Sequence, residues 1–273
     1  MNHGRLHGTV ALVTGGGKGI GRETARQLGQ LGARLFICGR DQKALAATTD
    51  AFRAEGLAAD YVACDVRNAA DCARLVDTVR ERAGRLDILV NNAGMSMRGS
   101  LEDTAPEVMA AMAEINFLGA VYVTARALPL LKTAKGSVVF ISSLTALRGL
   151  PQVGPYGASK KALIGLAESL RAEVGGQGVH VGVVHVGFTE NDPDKVVYGQ
   201  DGSLVPLDSR RNAHTQAQAA SHIVKNVLSR KRESTLTGLG KLAAFFYRYF
   251  PGLADWLIVR FVSGSRQFAA KPR

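Results

Sequence analysis

Val10-Ala11-Leu12-Val13-Thr14-Gly15-Gly16-Gly17-Lys18-Gly19-Ile20-Gly21 runs from a short apolar stretch through a glycine-rich turn into a helical pattern. The apolar stretch has the length and the unbroken hydrophobicity of a strand buried on both faces. Glycines in the turn let the backbone bend tightly and approach a ligand closely. The free N–H groups of the following helix then face a phosphate. Gly15, Lys18, Gly19, Ile20 and Gly21 are therefore expected at a dinucleotide pyrophosphate.

Outward from this unit, short runs rich in Val, Ile and Leu alternate with stretches of helical length. Strands are expected at 10–14, 34–38, 61–64, 86–90, 137–141 and 179–185. Helices are expected at 21–31, 43–55, 69–83, 106–131 and 161–174. Repeated βα units with right-handed crossovers give an α/β fold: a Rossmann-type, doubly wound parallel sheet in three αβα layers. No linker or internal repeat divides it. We read a single catalytic domain over 1–237 and an amphipathic, basic C-terminal extension over 238–273. The polar stretch 188–214 follows the sixth strand, where ligands bind beyond the carboxyl ends of such sheets, and is expected to form a lid.

Composition narrows the classes. With 46% apolar residues the chain can build a sizeable core. Cys38, Cys64 and Cys72 have no CxxC or His-rich context, so no metal is expected, and they read as buried apolar groups or surface thiols in a reducing compartment. The first residues carry no apolar signal-peptide core, and no uninterrupted apolar stretch spans a bilayer. The expected localisation is cytoplasmic, with a peripheral place on the inner face of a membrane as a second option. The formal charge of +11 is concentrated late: residues 230–273 hold nine Lys/Arg against Glu233 and Asp255. No nucleic-acid motif accompanies this charge, so no nucleic-acid partner is expected.

The end of the second strand sets cofactor preference. A carboxylate there would bind ribose hydroxyls and repel a 2′-phosphate. None precedes Asp41; Arg40 follows the strand and Lys18 sits in the glycine turn. Two cations favour NADP(H) over NAD. The alternative is that Arg40 pairs with Asp41 or faces solvent.

A second phrase, Tyr156-Gly157-Ala158-Ser159-Lys160, places a phenol and an ammonium four residues apart. They share a helix face if the helix begins near Pro155.

With these motifs in this order, the chain resembles the short-chain dehydrogenase/reductase family over roughly residues 5–230. Thr14, Gly15, Gly19 and Gly21 match its TGxxxGxG, and Asn91-Asn92-Ala93-Gly94 its NNAG. Ser143, thirteen residues before Tyr156, and the YxxxK of Tyr156 and Lys160 complete the pattern. The resemblance implies that Asp65 and Val66 hold the adenine, that Asn92, Ala93 and Gly94 line the cofactor, and that Asn116, Ser143, Tyr156 and Lys160 are catalytic. It also implies that Lys160 binds the nicotinamide ribose and that Asn116 holds a water linking Lys160 to solvent. The chain departs from the family after the sixth strand. Val186 replaces the usual Pro and Asn191 stands at the usual Thr position, so either Thr189 substitutes as the contact to the carboxamide or the loop closes differently.

The chemistry suits these groups. A free phenol, with a pKa near ~10, is a poor acid–base group at neutral pH. A neighbouring ammonium lowers that value. Tyr156 then acts as general acid in reduction and base in oxidation, with Ser143 stabilising the substrate oxygen. His185 reads as a packed or pocket-lining histidine.

In the extension, Leu242, Phe245, Phe246, Tyr249, Leu253, Trp256 and Leu257 follow helical spacing, with Lys241, Arg248 and Asp255 on the other face. Pro251-Gly252 is expected to divide two short helices. The stripe over 241–262 packs on the core or a partner subunit, lies in a membrane interface, or does both. The expected activity is NADPH-dependent reduction of an apolar or lipid-like ketone, or oxidation of the matching secondary alcohol, by a homo-oligomer (dimer or tetramer). The rivals are a 3-oxoacyl-thioester reductase and a non-catalytic NADP-binding sensor or scaffold.

Overall fold

The structure, a computed structural model, describes residues 4–207, 213–236, 246–247 and 249–262. Its central sheet is built from β1 (Val10–Thr14), β2 (Arg34–Gly39), β3 (Ala59–Ala63), β4 (Ile88–Asn91), β6 (Ser137–Ser143), β7 (His180–Val186) and β10 (Glu233–Thr235). All seven are parallel, in the order β10-β7-β6-β4-β1-β2-β3. The chain steps one way from β1 to β2 and the other way to β4. The carboxyl ends of β1 and β4 therefore flank the crevice at a switch point.

Each face is covered by helices whose apolar sides point inward. On one face lie α3 (Ala69–Ala83), α5 (Gly119–Ala134) and α7 (Gly154–Val174), which bury Leu75, Val79, Val123, Leu131, Leu163 and Leu170. On the other lie α1 (Gly19–Gln30), α2 (Gln42–Ala54) and α8 (Gln216–Ser229), which bury Leu28, Leu45, Phe52 and Ile223. Cys38, Cys64 and Cys72 are free thiols buried in the first core and behave as small apolar groups.

Three features depart from the expected pattern. The sheet gains β10, too short to stand out as an apolar run. The stretch after β7 holds β8 (Val196–Gly199) and β9 (Leu204–Pro206), paired antiparallel around Gly202 at φ 85°, and β8 pairs with β5 (Met97–Arg98). Asp201-Gly202 is a hairpin signal as well as a loop signal. The expected helix over 106–131 is interrupted: α4 (Pro106–Ala113) passes through a π-helical turn at Glu114–Leu118 into α5. This run, Pro106–Ala134, is long and apolar enough to cross a membrane by length and composition. Its apolar side lies in the core through Val123, Ala127 and Leu131.

A short α6 (Leu144–Leu147) follows β6. In the extension, α9 (Pro251–Leu257) starts at the expected Pro, and Ala254 is fully buried. Arg148 pairs with Asp255 and donates to the Pro251 carbonyl at 3.4 Å. Leu257 and Ile258 are half-buried beside Ala254, so a narrow apolar strip of the helix meets the core. Tyr249, Phe250, Leu253, Trp256 and Val259 are exposed. Leu242 and Phe245 lie outside the described residues.

Candidate active site

The glycine turn forms as its sequence requires. Gly15 and Gly19 take positive φ of 66° and 57°. A Cβ on Gly21 would lie 2.2 Å from the Gly15 carbonyl oxygen, so only glycine lets α1 start this close to β1. Helices α2, α3 and α8 are capped by Asp41, Asn68 and Thr215. Helix α1 has no side-chain cap and no acid in its first turn. Its N–H groups and dipole thus remain available to an anion.

The Asn91–Gly94 stretch is bonded to that turn. Thr14 Oγ1 accepts from the backbone N–H groups of Asn92 (3.0 Å) and Ala93 (2.9 Å). Asn92 Nδ2 donates back to the Thr14 carbonyl at 2.9 Å. Above these ends opens a cavity of about 520 Å³. It is lined by Gly15, Lys18, Gly19, Ile20, Gly21 and Arg40, and by Asn92, Ala93, Gly94 and Thr189. Ser143, Tyr156 and Lys160 line it too. Expectations made from separated motifs therefore meet in one place.

Asp65 and Val66 do not line it. Asp65 is held by Arg67, at 3.0 Å from Nε and 2.5 Å from Nη2, and its carboxyl pKa is lowered chiefly by that bond. Val66 is buried against Gly119. His185 is fully buried and bonded to Glu233 at 2.5 Å, so it is packed and does not line the cavity.

Ser143 ends β6 and caps α6, accepting from Thr145 N–H at 3.2 Å. Helix α7 begins at Gly154, so Tyr156 and Lys160 sit on consecutive turns facing β6. Burial pushes the Tyr156 phenol above its ordinary pKa; a hydrogen bond with Ser143 and the charge of Arg98 pull it down. Lys160 is 5% exposed and donates to the Ile141 carbonyl at 2.9 Å. Burial, helped by the charge of Lys195, lowers its pKa to about 8. The sequence pointed to Lys160 as the cation that tunes Tyr156. In the structure Arg98 is a second cation whose charge pulls that phenol down, and Lys160 lines the same cavity with its Nζ donating to the Ile141 carbonyl.

Asn116 sits in the π-helical turn, a distortion frequent at functional sites. Its Oδ1 accepts from Met95 N–H at 2.8 Å, and its Nδ2 donates to the Met95 carbonyl at 2.9 Å and to Ser159 Oγ at 3.1 Å. A Cβ on Gly94 would lie 2.8 Å from Asn116 Oδ1 and 3.0 Å from Lys160 Nζ. Both polar atoms thus face the same side of Gly94.

Sequence reading missed the acids of the stretch after β7. Asp194 accepts from Lys18 Nζ at 2.5 Å, and Asp192 accepts from Arg22 at 3.3 Å and Gln216 at 3.0 Å. Asp192-Pro193-Asp194 read only as a turn; two acids beyond a basic glycine turn were the available signal. Arg98, on β5, had no signal of its own. Arg40 is exposed on the cavity rim. Asp41 is turned to α2, accepting from Ala44 N–H at 3.0 Å, with Lys18 at 3.5 Å.

Comparison with known proteins agrees with this geometry. Residues 9–200 match the model of the short chain dehydrogenase family. The chain is 32% identical over 248 residues to the zebrafish (Danio rerio) dehydrogenase/reductase SDR family member 7B, covering 88% of this chain and 80% of that one. It is 33% identical over 263 residues to 11-beta-hydroxysteroid dehydrogenase 1A of Arabidopsis thaliana, covering 92% and 74%. A short chain dehydrogenase/reductase from Burkholderia phymatum, solved in complex with NAD, superposes with a TM-score of 0.81 at 23% identity, covering 92% and 96%.

Proposed function

The chain belongs to the short-chain dehydrogenase family, and we propose that within it this protein is an NADPH-dependent carbonyl reductase, able to run in reverse on a secondary alcohol. The observation that carries this reading is the meeting of Ser143, Tyr156 and Lys160 in the cavity that the glycine turn opens.

The fit to a dinucleotide rests on the uncapped α1 and on the absence of room for a side chain at Gly21. Lys18 and Arg40 would hold a 2′-phosphate, with Asp41 engaged through Oδ1 in capping α2. Thr189, which lines the cavity, is assigned to the carboxamide. The cofactor, when bound, supplies the hydride that adds to the carbonyl carbon. Ser143 donates to the carbonyl oxygen as its charge develops. Tyr156 gives that oxygen its phenolic proton, so the ketone becomes an alcohol and Tyr156 is left as phenolate. Lys160, Asn116 and solvent return the proton. Leu144, Leu150, Val153, Phe188 and Leu207 form an apolar wall suited to an apolar ketone.

The test is NADPH oxidation over a panel of steroid, alkyl, acyl-thioester and sugar ketones. The expected result is turnover of apolar ketones that Tyr156→Phe reduces by about 10²–10⁴-fold with NADPH still bound. A preference for sugars overturns the substrate class, and turnover confined to acyl thioesters favours the 3-oxoacyl-thioester reading. NADPH binding without turnover favours a sensor.

Two further elements belong to this reading. The protein assembles as a homodimer or homotetramer, as light scattering will test. It works in the cytoplasm with α9 against an anionic membrane surface. The exposed Tyr249, Phe250, Leu253 and Trp256 beside a basic tail support this contact.

A further inference from the structure

Arg98 stands out among the charged groups of the cavity. Successive residues of β5 point to opposite sides. Met97 is fully buried with Val108 and Met112, and Arg98 lines the cavity near enough for its charge to act on Tyr156. Its Nη1 donates to Ser96 Oγ at 3.0 Å and to the Met97 carbonyl at 2.6 Å. Among the described residues no carboxylate pairs with it. Arg34, Arg67, Arg85 and Arg126, by contrast, each meet an aspartate.

The acids that share the cavity are committed to its cofactor side. Glu190 accepts from Gln216 N–H at 2.8 Å, Asp192 from Arg22, and Asp194 from Lys18. Arg98 lines the same cavity without such a partner, together with the apolar side chains of Leu150, Val153 and Leu207. A half-buried guanidinium without a counter-charge is costly to hold there.

The fold nevertheless fixes it firmly. Met97 and Arg98 pair with Tyr198 and Gly199. Gly99 N–H donates at 3.0 Å to the carbonyl of Gln152, which holds an unfavourable φ of 64° two residues before α7. Arg98 and the helix that carries Tyr156 are thereby tied together.

We propose that Arg98 is the substrate-recognising cation of this site, and that the substrate is an apolar ketone bearing an anionic group, a carboxylate or a phosphate monoester, near the reacting carbonyl. The inference rests on the reductase reading and specifies its substrate class. A guanidinium fork bonds both anions through two parallel N–H donors. The bound anion supplies the charge that Arg98 lacks, and it orients the carbonyl toward Tyr156 and Ser143.

The experiment compares kcat/KM for matched apolar ketones carrying a carboxylate, a phosphate monoester or a neutral methyl ester. Wild type, Arg98→Gln and Arg98→Lys are assayed, with NADPH affinity measured by fluorescence. Wild type is expected to prefer an anionic member over the ester by at least about 10-fold, and the better anion identifies the group. Arg98→Gln is expected to reduce that preference by about 10–100-fold, chiefly through KM. Arg98→Lys, keeping charge without the fork, is expected to restore part of it. The unreactive deoxy acid is expected to inhibit wild type competitively and its amide far less, a result independent of how any variant folds.

Equal use of ester and anion by wild type, or an unchanged preference in Arg98→Gln, overturns this inference and leaves the reductase reading standing. Absence of turnover on every ketone, with NADPH bound, overturns both.

Discussion

Lys18 Nζ donates to Asp194 Oδ2 at 2.5 Å, joining the glycine turn to the stretch after β7 across 176 residues of sequence. Asp192 lies beside it, with Oδ2 3.6 Å from where a Cβ on Gly19 would stand. These two carboxylates thus sit over the start of α1, where the dipole favours an anion. The Lys18–Asp194 side chains are 47% and 61% exposed, so their pairing is weak and a phosphate can displace it. Asp194→Asn is expected to tighten NADPH binding by about 3–10-fold at low ionic strength and less at high salt. Fluorescence titration checks this; weaker binding in the variant would mean that Asp194 helps to close the lid over bound cofactor.

Lys160 sets a conflict between stability and activity. Its folded pKa of about 8 lies below the ordinary 10.5. Below pH 8 it is charged in both states, and the full burial cost is present. Between 8 and 10.5 the unfolded chain binds more protons, so stability rises with pH. Lys160→Met removes the charge and leaves the Ile141 carbonyl without its donor, an offsetting loss. The variant is expected to be inactive yet more stable by about 1–2 kcal/mol at pH 7, with the gain fading toward pH 10. Thermal melts of the cofactor-free protein across pH decide it.

Gly94→Ala is a test of positioning. The added methyl would press on Asn116 Oδ1 and Lys160 Nζ while leaving the glycine turn untouched. The expected outcome is a kcat lower by about 10–100-fold, with NADPH affinity within about threefold of wild type. An unchanged kcat would remove Asn116 and Lys160 from proton return.

The direction of the Tyr156 shift predicts a pH dependence. Burial keeps the phenol protonated well above neutrality, in spite of Ser143 and Arg98. Ketone reduction, which needs the acid, is expected to stay level between pH 6 and 8, and alcohol oxidation, which needs the phenolate, to rise over the same range. Rates measured in both directions give the answer, and oxidation that falls with pH would exclude Tyr156 as the base.

The extension carries a separable prediction. Full-length protein is expected to sediment with anionic vesicles, and Trp256→Ser with Leu253→Ser to lose most of that binding without loss of ketone turnover in solution. Failure to sediment would assign the exposed side of α9 to a partner subunit.

Most strands and helices were legible because each is written in a local pattern: buried runs such as 10–14, amphipathic stretches such as 69–83, and the four-residue spacing of Tyr156 and Lys160. The pieces that escaped lack such a pattern. β10 is three residues long and takes its place by pairing with β7. β5 is two residues long and exists because β8 pairs with it. The π-helical turn at Asn116 has the composition of the helix around it. In the extension, spacing identified the amphipathic helix but not which side meets the core. Ala254 and the half-buried Leu257 decide that, and they leave Tyr249, Leu253 and Trp256 exposed.

The sequence by itself determined the family, the doubly wound sheet, and the identity of the glycine turn and of Ser143, Tyr156 and Lys160, because those depend on residue type at short, regular spacing. Only the tertiary structure decided which charges meet. It placed Asp194 on Lys18, turned Lys160 toward β6, set Asn116 Oδ1 and Lys160 Nζ on one side of Gly94, and brought Arg98 into the cavity with Tyr156. Electrostatic partnership falls steeply with distance through space and takes no account of distance along the chain, so it follows from packing.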